Sequence, residues 1–172
     1  MPPSTALAVV VAAAIAAAAP PETELVPVEN AVKGVPPPVD SAREGARLLL
    51  EAIQADDPSL AAGFFFPAAA FDLVKAIGFP GRYHRKLVGW YEADIRAEHP
   101  RFADPGWRFE AFELGRCGWQ EKGTEGNALP YWSCRGSRIT ASRGERTRTL
   151  DVHVIINWGA RWYVTHLGPI RN

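Results

Sequence analysis

Asp94, in a helix-like run beside Tyr91 and Ile95, is a candidate general base, although no local motif fixes that role. A carboxylate in an apolar cavity can abstract a proton while nearby donors hold the oxyanion that forms. Tyr83, Tyr91 and Tyr131 are the candidate donors and ligand contacts. His153 and His166 face each other if two strands turn at Gly159-Ala160, which makes them candidate ligand contacts and offers a base with its partner or two metal ligands. A zinc site needs three or four protein ligands, so Asp151 or Asp94 would have to complete it, and no metal is assigned. A structural reading stands beside each of these. Asp94 could pair with Arg96 or Arg101, and ion-pair networks occupy carboxylates without catalysis. The histidines could simply be half-buried on a sheet face.

Cys117 and Cys134 are the only cysteines. The loop 122–127 separates two strand-like runs, and with Glu121 opposite Pro130, Cys117 faces Cys134 and Trp119 faces Trp132. Coincident pairing of both types predicts a hairpin carrying a disulfide, and a disulfide implies an oxidising compartment. A paired cysteine is neither a nucleophile nor a thiolate ligand. No Gly-rich phosphate loop, nucleophile elbow or metalloprotease helix motif occurs, and no cofactor is implied.

The N-terminus agrees with export. Ala6 to Ala19 is an unbroken apolar run, shorter than the ~20 residues of a spanning helix, and it ends in the small residues Ala17-Ala18-Ala19. Residues 1–19 read as a signal peptide, although no Lys or Arg precedes the run and Pro20 follows it. The expected destination is the periplasm or the medium, with no membrane span left after cleavage. Residues 20–39 hold six prolines and no aromatic residue, and are expected to form a disordered linker, the alternative being an ordered arm packed on the domain.

Residues 40–172 have the size of one domain with its own core. The formal charge of the chain is zero; residues 101–172 carry eleven Lys or Arg against seven Asp or Glu. That excess is too small for a nucleic-acid footprint. Arg135, Arg138, Arg143, Arg146 and Arg148 crowd one hairpin, as a solvated loop face or a grip on an anionic polymer.

The elements that must position these residues change period along the chain. Ser41 and Glu44 have capping-box spacing, and Ala46, Leu49, Leu50 and Ile53 make a helical stripe. Asp57-Pro58 starts a short helix, Phe64-Phe65-Phe66 reads as core, and Phe71, Val74 and Ile77 continue in a third helix. A longer helix is expected from Arg82 to His99, closed by Pro100. From Trp107 the period becomes two, with strands near 107–121, 129–140, 147–158 and 161–167. Helices followed by an antiparallel meander define an α+β fold.

In this register one sheet face collects Trp107, Phe109, Trp119, Trp132, Trp162 and both histidines. The other collects Phe112, Tyr131, Val152, Val154, Ile156 and Tyr163. The second is the expected helix-facing side. The first is a candidate homodimer surface, because exposed Trp in such numbers is unusual for a monomer. A single bulge would exchange parts of the two faces.

The helix order, the closing hairpin from Ile156 to Val164 and the domain size resemble the nuclear transport factor 2-like superfamily, with its SnoaL-type and ketosteroid-isomerase-type members. Exported members of that superfamily are similar in Phe64-Phe65-Phe66-Pro67, Phe71, Lys75, Tyr83, Leu87, Tyr91, Asp94-Ile95, Pro130-Tyr131-Trp132 and the run from Trp162 to Leu167. The resemblance implies helices packed into a strongly curved antiparallel sheet of four or more strands, leaving a cone-shaped cavity. The expected role is non-catalytic: binding a small apolar or amphipathic ligand, or joining an envelope assembly. The alternatives are an isomerase- or hydratase-type enzyme with Asp94 as base, and an interaction module that dimerises through its Trp-rich face.

Overall fold

A computed structural model of the protein describes residues 32–171. Residues 1–19, expected to be a signal peptide, and the expected linker up to residue 31 lie outside the described residues. Helix α1 (Asp40–Ala55) buries Ala42, Ala46, Leu49 and Ile53 at helical spacing and ends where Asp56 turns left-handed at φ 52°. Its first turn differs from the capping box expected at Ser41. The helix already includes Asp40, and the Ser41 hydroxyl accepts the Trp162 backbone N–H at 3.0 Å instead. A 3₁₀ helix (Pro58–Phe64) follows, started by the Asp57 side chain, which accepts from Ser59 N at 3.0 Å. Helix α2 is Ala68–Val74 and α3 is Pro80–Phe102. Pro100, expected to close α3, lies inside it. The buried Phe102 ring, 6.1 Å from Trp107, carries the helix past the proline.

The sheet contains β1 (Arg108–Glu113), β2 (Arg116–Gln120), β3 (Tyr131–Arg143), β4 (Arg146–Trp158) and β5 (Arg161–His166). Its order is β1-β3-β4-β5, with β2 also paired to β3 and every pairing antiparallel. The fold is therefore α+β, helices first. The sheet is open at β5 and does not show the strong curl that was expected. The single strand expected over 107–121 is two strands, broken at Leu114-Gly115. Gly115 N donates to Ser137 Oγ at 3.1 Å. A Cβ at Gly115 would lie 2.0 Å from the Arg135 carbonyl oxygen, so only glycine allows β1 and β2 to share the edge of β3.

Register follows the sequence in one hairpin and departs from it in two. Cys117 pairs with Cys134 and Trp119 with Trp132, as expected. Between β3 and β4 the turn is at Gly144-Glu145, so Cys134 faces Ile155 rather than His153. This two-residue shift leaves every side chain on its expected face. Between β4 and β5 a bulge at Val154/Ile155 puts His166 opposite Val154, not His153. A second bulge, at Phe109/Ala111, sets Phe109 beside Ala141, on the side of Ile139 and Leu150. Trp107 and Phe109 therefore join the face that carries Phe112, Val152 and Ile156.

Residues 32–39, placed by sequence in the disordered linker, lie against the sheet. Trp132 Nε1 donates to the Val32 carbonyl at 3.1 Å, and Trp162 Nε1 donates to the Pro37 and Pro38 carbonyls at 3.2 and 3.1 Å. Trp162 is 1 % exposed as a result. Among the described residues no helix is long and apolar enough to cross a membrane.

Candidate functional site

A cavity of about 410 Å³ lies between α2, the start of α3 and the central strands. That volume falls in the range of small-molecule sites, about 300–1,000 Å³. Phe71, Ile77, Leu87, Val154, Ile156 and Ile170 give it apolar walls. Lys75, Tyr131, Ser133, Thr165 and His166 give it polar lining, and Glu125 and Arg135, whose charges sit 3.4 Å apart, complete it on the more exposed side.

The polar groups are brought together by main-chain pairing. The chain leaving α2 forms an antiparallel bridge between Lys75 and Asn127. Ala76 N donates to the Gly126 carbonyl at 2.8 Å, and Ala128 N to the Val74 carbonyl at 2.7 Å. Gly126 has φ 70°, and a Cβ there would lie 2.8 Å from Ile77 Cγ2, so the loop needs glycine on both counts. Lys75 Nζ then donates to Asn127 Oδ1 at 2.6 Å and to the Tyr131 hydroxyl at 3.1 Å, while that hydroxyl donates to Asn127 Oδ1 at 3.0 Å. Burial pushes the Lys75 ammonium below its ordinary range and Tyr131 up to about 12.

His166 closes the polar group from the β5 side. Burial, helped by the positive charges of His153, Arg135 and Lys75, lowers it to about 4, so its imidazole is neutral at pH 7. Thr165 Oγ1 donates to the Val154 carbonyl at 3.5 Å and is left to accept from His166 Nδ1–H at 3.2 Å. In that tautomer Nε2 is a bare acceptor. It is buried and has no hydrogen-bond partner, as does Asn127 Nδ2. Unpaired buried polar atoms are uncommon and require an explanation.

The sequence-selected residues divide. Tyr83, Tyr131 and His166 line the cavity. Tyr91 does not. Its hydroxyl donates to the Ala61 carbonyl at 3.2 Å, its ring packs 5.1 Å from Phe65, and burial raises its pKa. It borders a second depression of about 480 Å³. The buried His84 there is held by the Phe66 carbonyl at 2.7 Å, which leaves the depression few unengaged polar groups. Asp94 is also outside the cavity lining. Its carboxylate accepts from Gly168 N at 3.0 Å and pairs with Arg171, so it fastens the C-terminal segment to α3. His153 stays on the opposite face, separated from His166 by the bulge. Among the described residues no group of three or more His, Cys, Asp or Glu could hold a metal ion. Cys117 and Cys134 are disulfide-bonded.

The sequence reading missed Lys75 and Asn127 as site residues and left Arg135 in a solvated cluster. Lys75 carried a usable signal: it is a lone cation between Val74 and Ile77 in an apolar run. Asn127 carried none, because its role depends on a loop meeting a distant helix end. No family model, curated protein or solved structure matches the chain.

Proposed function

We propose that the protein is an exported, non-catalytic carrier of a small amphipathic ligand. The observation that carries this reading is the composition of the cavity, whose apolar walls meet a compact polar group containing a buried, unpartnered His166 Nε2. A site of that kind orients an apolar body by a few placed polar atoms. The disulfide is compatible with an oxidising, exported environment. Membership of the nuclear transport factor 2-like superfamily, with a cone-like cavity, is part of the same proposal. It rests on the helices-then-sheet order and on the cavity's position between the two layers.

The test is saturable binding of a neutral apolar fluorophore, N-phenyl-1-naphthylamine. One molecule per chain is expected in the wild type. Loss of binding is expected in Ile156→Trp, which fills the cavity, with far-UV circular dichroism unchanged. Absence of saturable binding to the wild type removes the reading.

A second reading, acid–base catalysis, is favoured by one observation: a neutral imidazole near the Lys75–Tyr131 donors. In that case His166 is the base, and Asp94 has no part in the chemistry. Turnover of a bound compound that stops in His166→Gln while fluorophore binding persists would establish it over carriage.

A further inference from the structure

We infer that the ligand is a monoanion, a carboxylate-headed amphiphile whose head lies against Lys75. This inference rests on the binding role proposed above for the same cavity.

The argument starts from charge. Burying an ammonium group is costly unless an opposite charge accompanies it. Lys75 is half-buried, and its hydrogen-bond partners are neutral: Asn127 Oδ1 and the Tyr131 hydroxyl. Among the described residues no ion pair involves Lys75. The carboxylate lining the cavity, Glu125, pairs with Arg135. With His166 neutral, the lining holds two cations, Lys75 and Arg135, against one carboxylate, Glu125, whose charge acts on both, so one positive charge is left over. A guest with one negative charge completes the site; a dianion would exceed it and a cation would repel it.

Geometry limits the head to something small. Lys75 already spends two donors on Asn127 and Tyr131 and has one left, which suits one carboxylate oxygen. His166 is neutral, so its Nε2 is an acceptor beside the head: it can take a proton-bearing group of the guest and does not hold the carboxylate itself. Phe71, Leu87, Val154 and Ile156 then take an apolar tail.

The experiment displaces N-phenyl-1-naphthylamine with decanoate, decanol and decylamine, using wild type, Lys75→Met and Lys75→Arg at two salt concentrations. Decanoate should displace at a concentration about 10-fold lower than decanol, the scale of one charge-assisted hydrogen bond. Decylamine should be weaker than both. The decanoate advantage should vanish in Lys75→Met and return in part in Lys75→Arg, and it should shrink with salt less than an exposed ion pair would. Equal displacement by decanoate and decanol in the wild type overturns the anion inference and leaves the binding site standing. That comparison needs no variant, so misfolding of Lys75→Met cannot rescue the idea. Failure of the fluorophore to bind at all overturns the binding role and this inference together.

Discussion

At the scale of single residues, the site rests on polar atoms held in a largely apolar surround. His166 makes this measurable. Its folded pKa, about 4, lies below its ordinary 6.5. The unfolded chain therefore binds more protons between those values, and stability rises with pH across that window. The contribution from His166 is fully present above pH 6.5 and is lost as pH falls toward 4. Urea midpoints of the wild type should drop over this interval by more than those of His166→Phe. A parallel decline in both would assign the acid sensitivity to other groups. The same residue shows where a sequence reading stops. His166 was selected as a ligand contact because the Gly159-Ala160 turn set it opposite His153. It does line the cavity, but through a bulge that moves it to the other face. A bulge adds one residue to one strand and leaves no mark in an alternating pattern.

At the scale of elements, legibility depended on whether a contact was local. The β2–β3 hairpin could be read because two kinds of pair, Cys–Cys and Trp–Trp, agreed on one register. The β3–β4 turn could not, because 142–145 offers two neighbouring turns and the strand pattern is the same for both. The Lys75–Asn127 bridge joins positions fifty-two residues apart and has no local signature. The disulfide also belongs to this scale, since it fastens a short edge strand across a separation of 17 residues. Closing a loop of that length restricts the unfolded chain, and its reduction should cost about 3 kcal/mol. Urea unfolding with and without a reductant would measure this. No free thiol should titrate in the untreated, denatured protein.

At the scale of the whole molecule, sequence established the order of helices and strands, one core and the helix-facing side of β4. It left two readings open for the segment before α1. Composition alone suggested a solvated linker, yet the carbonyls of Val32, Pro37 and Pro38 satisfy two indole N–H groups. Prolines cannot donate, but their carbonyls accept without competition from a ladder. Removing residues 32–39 from a chain that starts at Val32 would bare Trp162 and leave its N–H to water. The shortened protein should be less stable by about 1–3 kcal/mol, the usual cost of losing hydrogen bonds together with apolar cover. Its tryptophan emission should shift to the red. Unchanged emission and stability would mean that the segment contributes nothing to the fold.

Asp94, a candidate base by sequence, fastens the C-terminal segment to α3 in the structure. Its carboxylate takes Gly168 N and Arg171, and a Cβ on Gly168 would come within 2.9 Å of it. Between those two contacts lies Ile170, which lines the cavity while remaining 46 % exposed. The Lys75 wall is tied into the body of the molecule by the Lys75–Asn127 bridge, and Val154 and Ile156 by the sheet. Beyond Leu167, whose carbonyl accepts from His153 N at 3.0 Å, the C-terminal segment is held to α3 through the Asp94 carboxylate. If the cavity takes a guest as proposed above, loosening that segment would widen the opening past Ile170. Asp94 would then govern residence time, slowing arrival and departure together while leaving the equilibrium between them nearly unchanged.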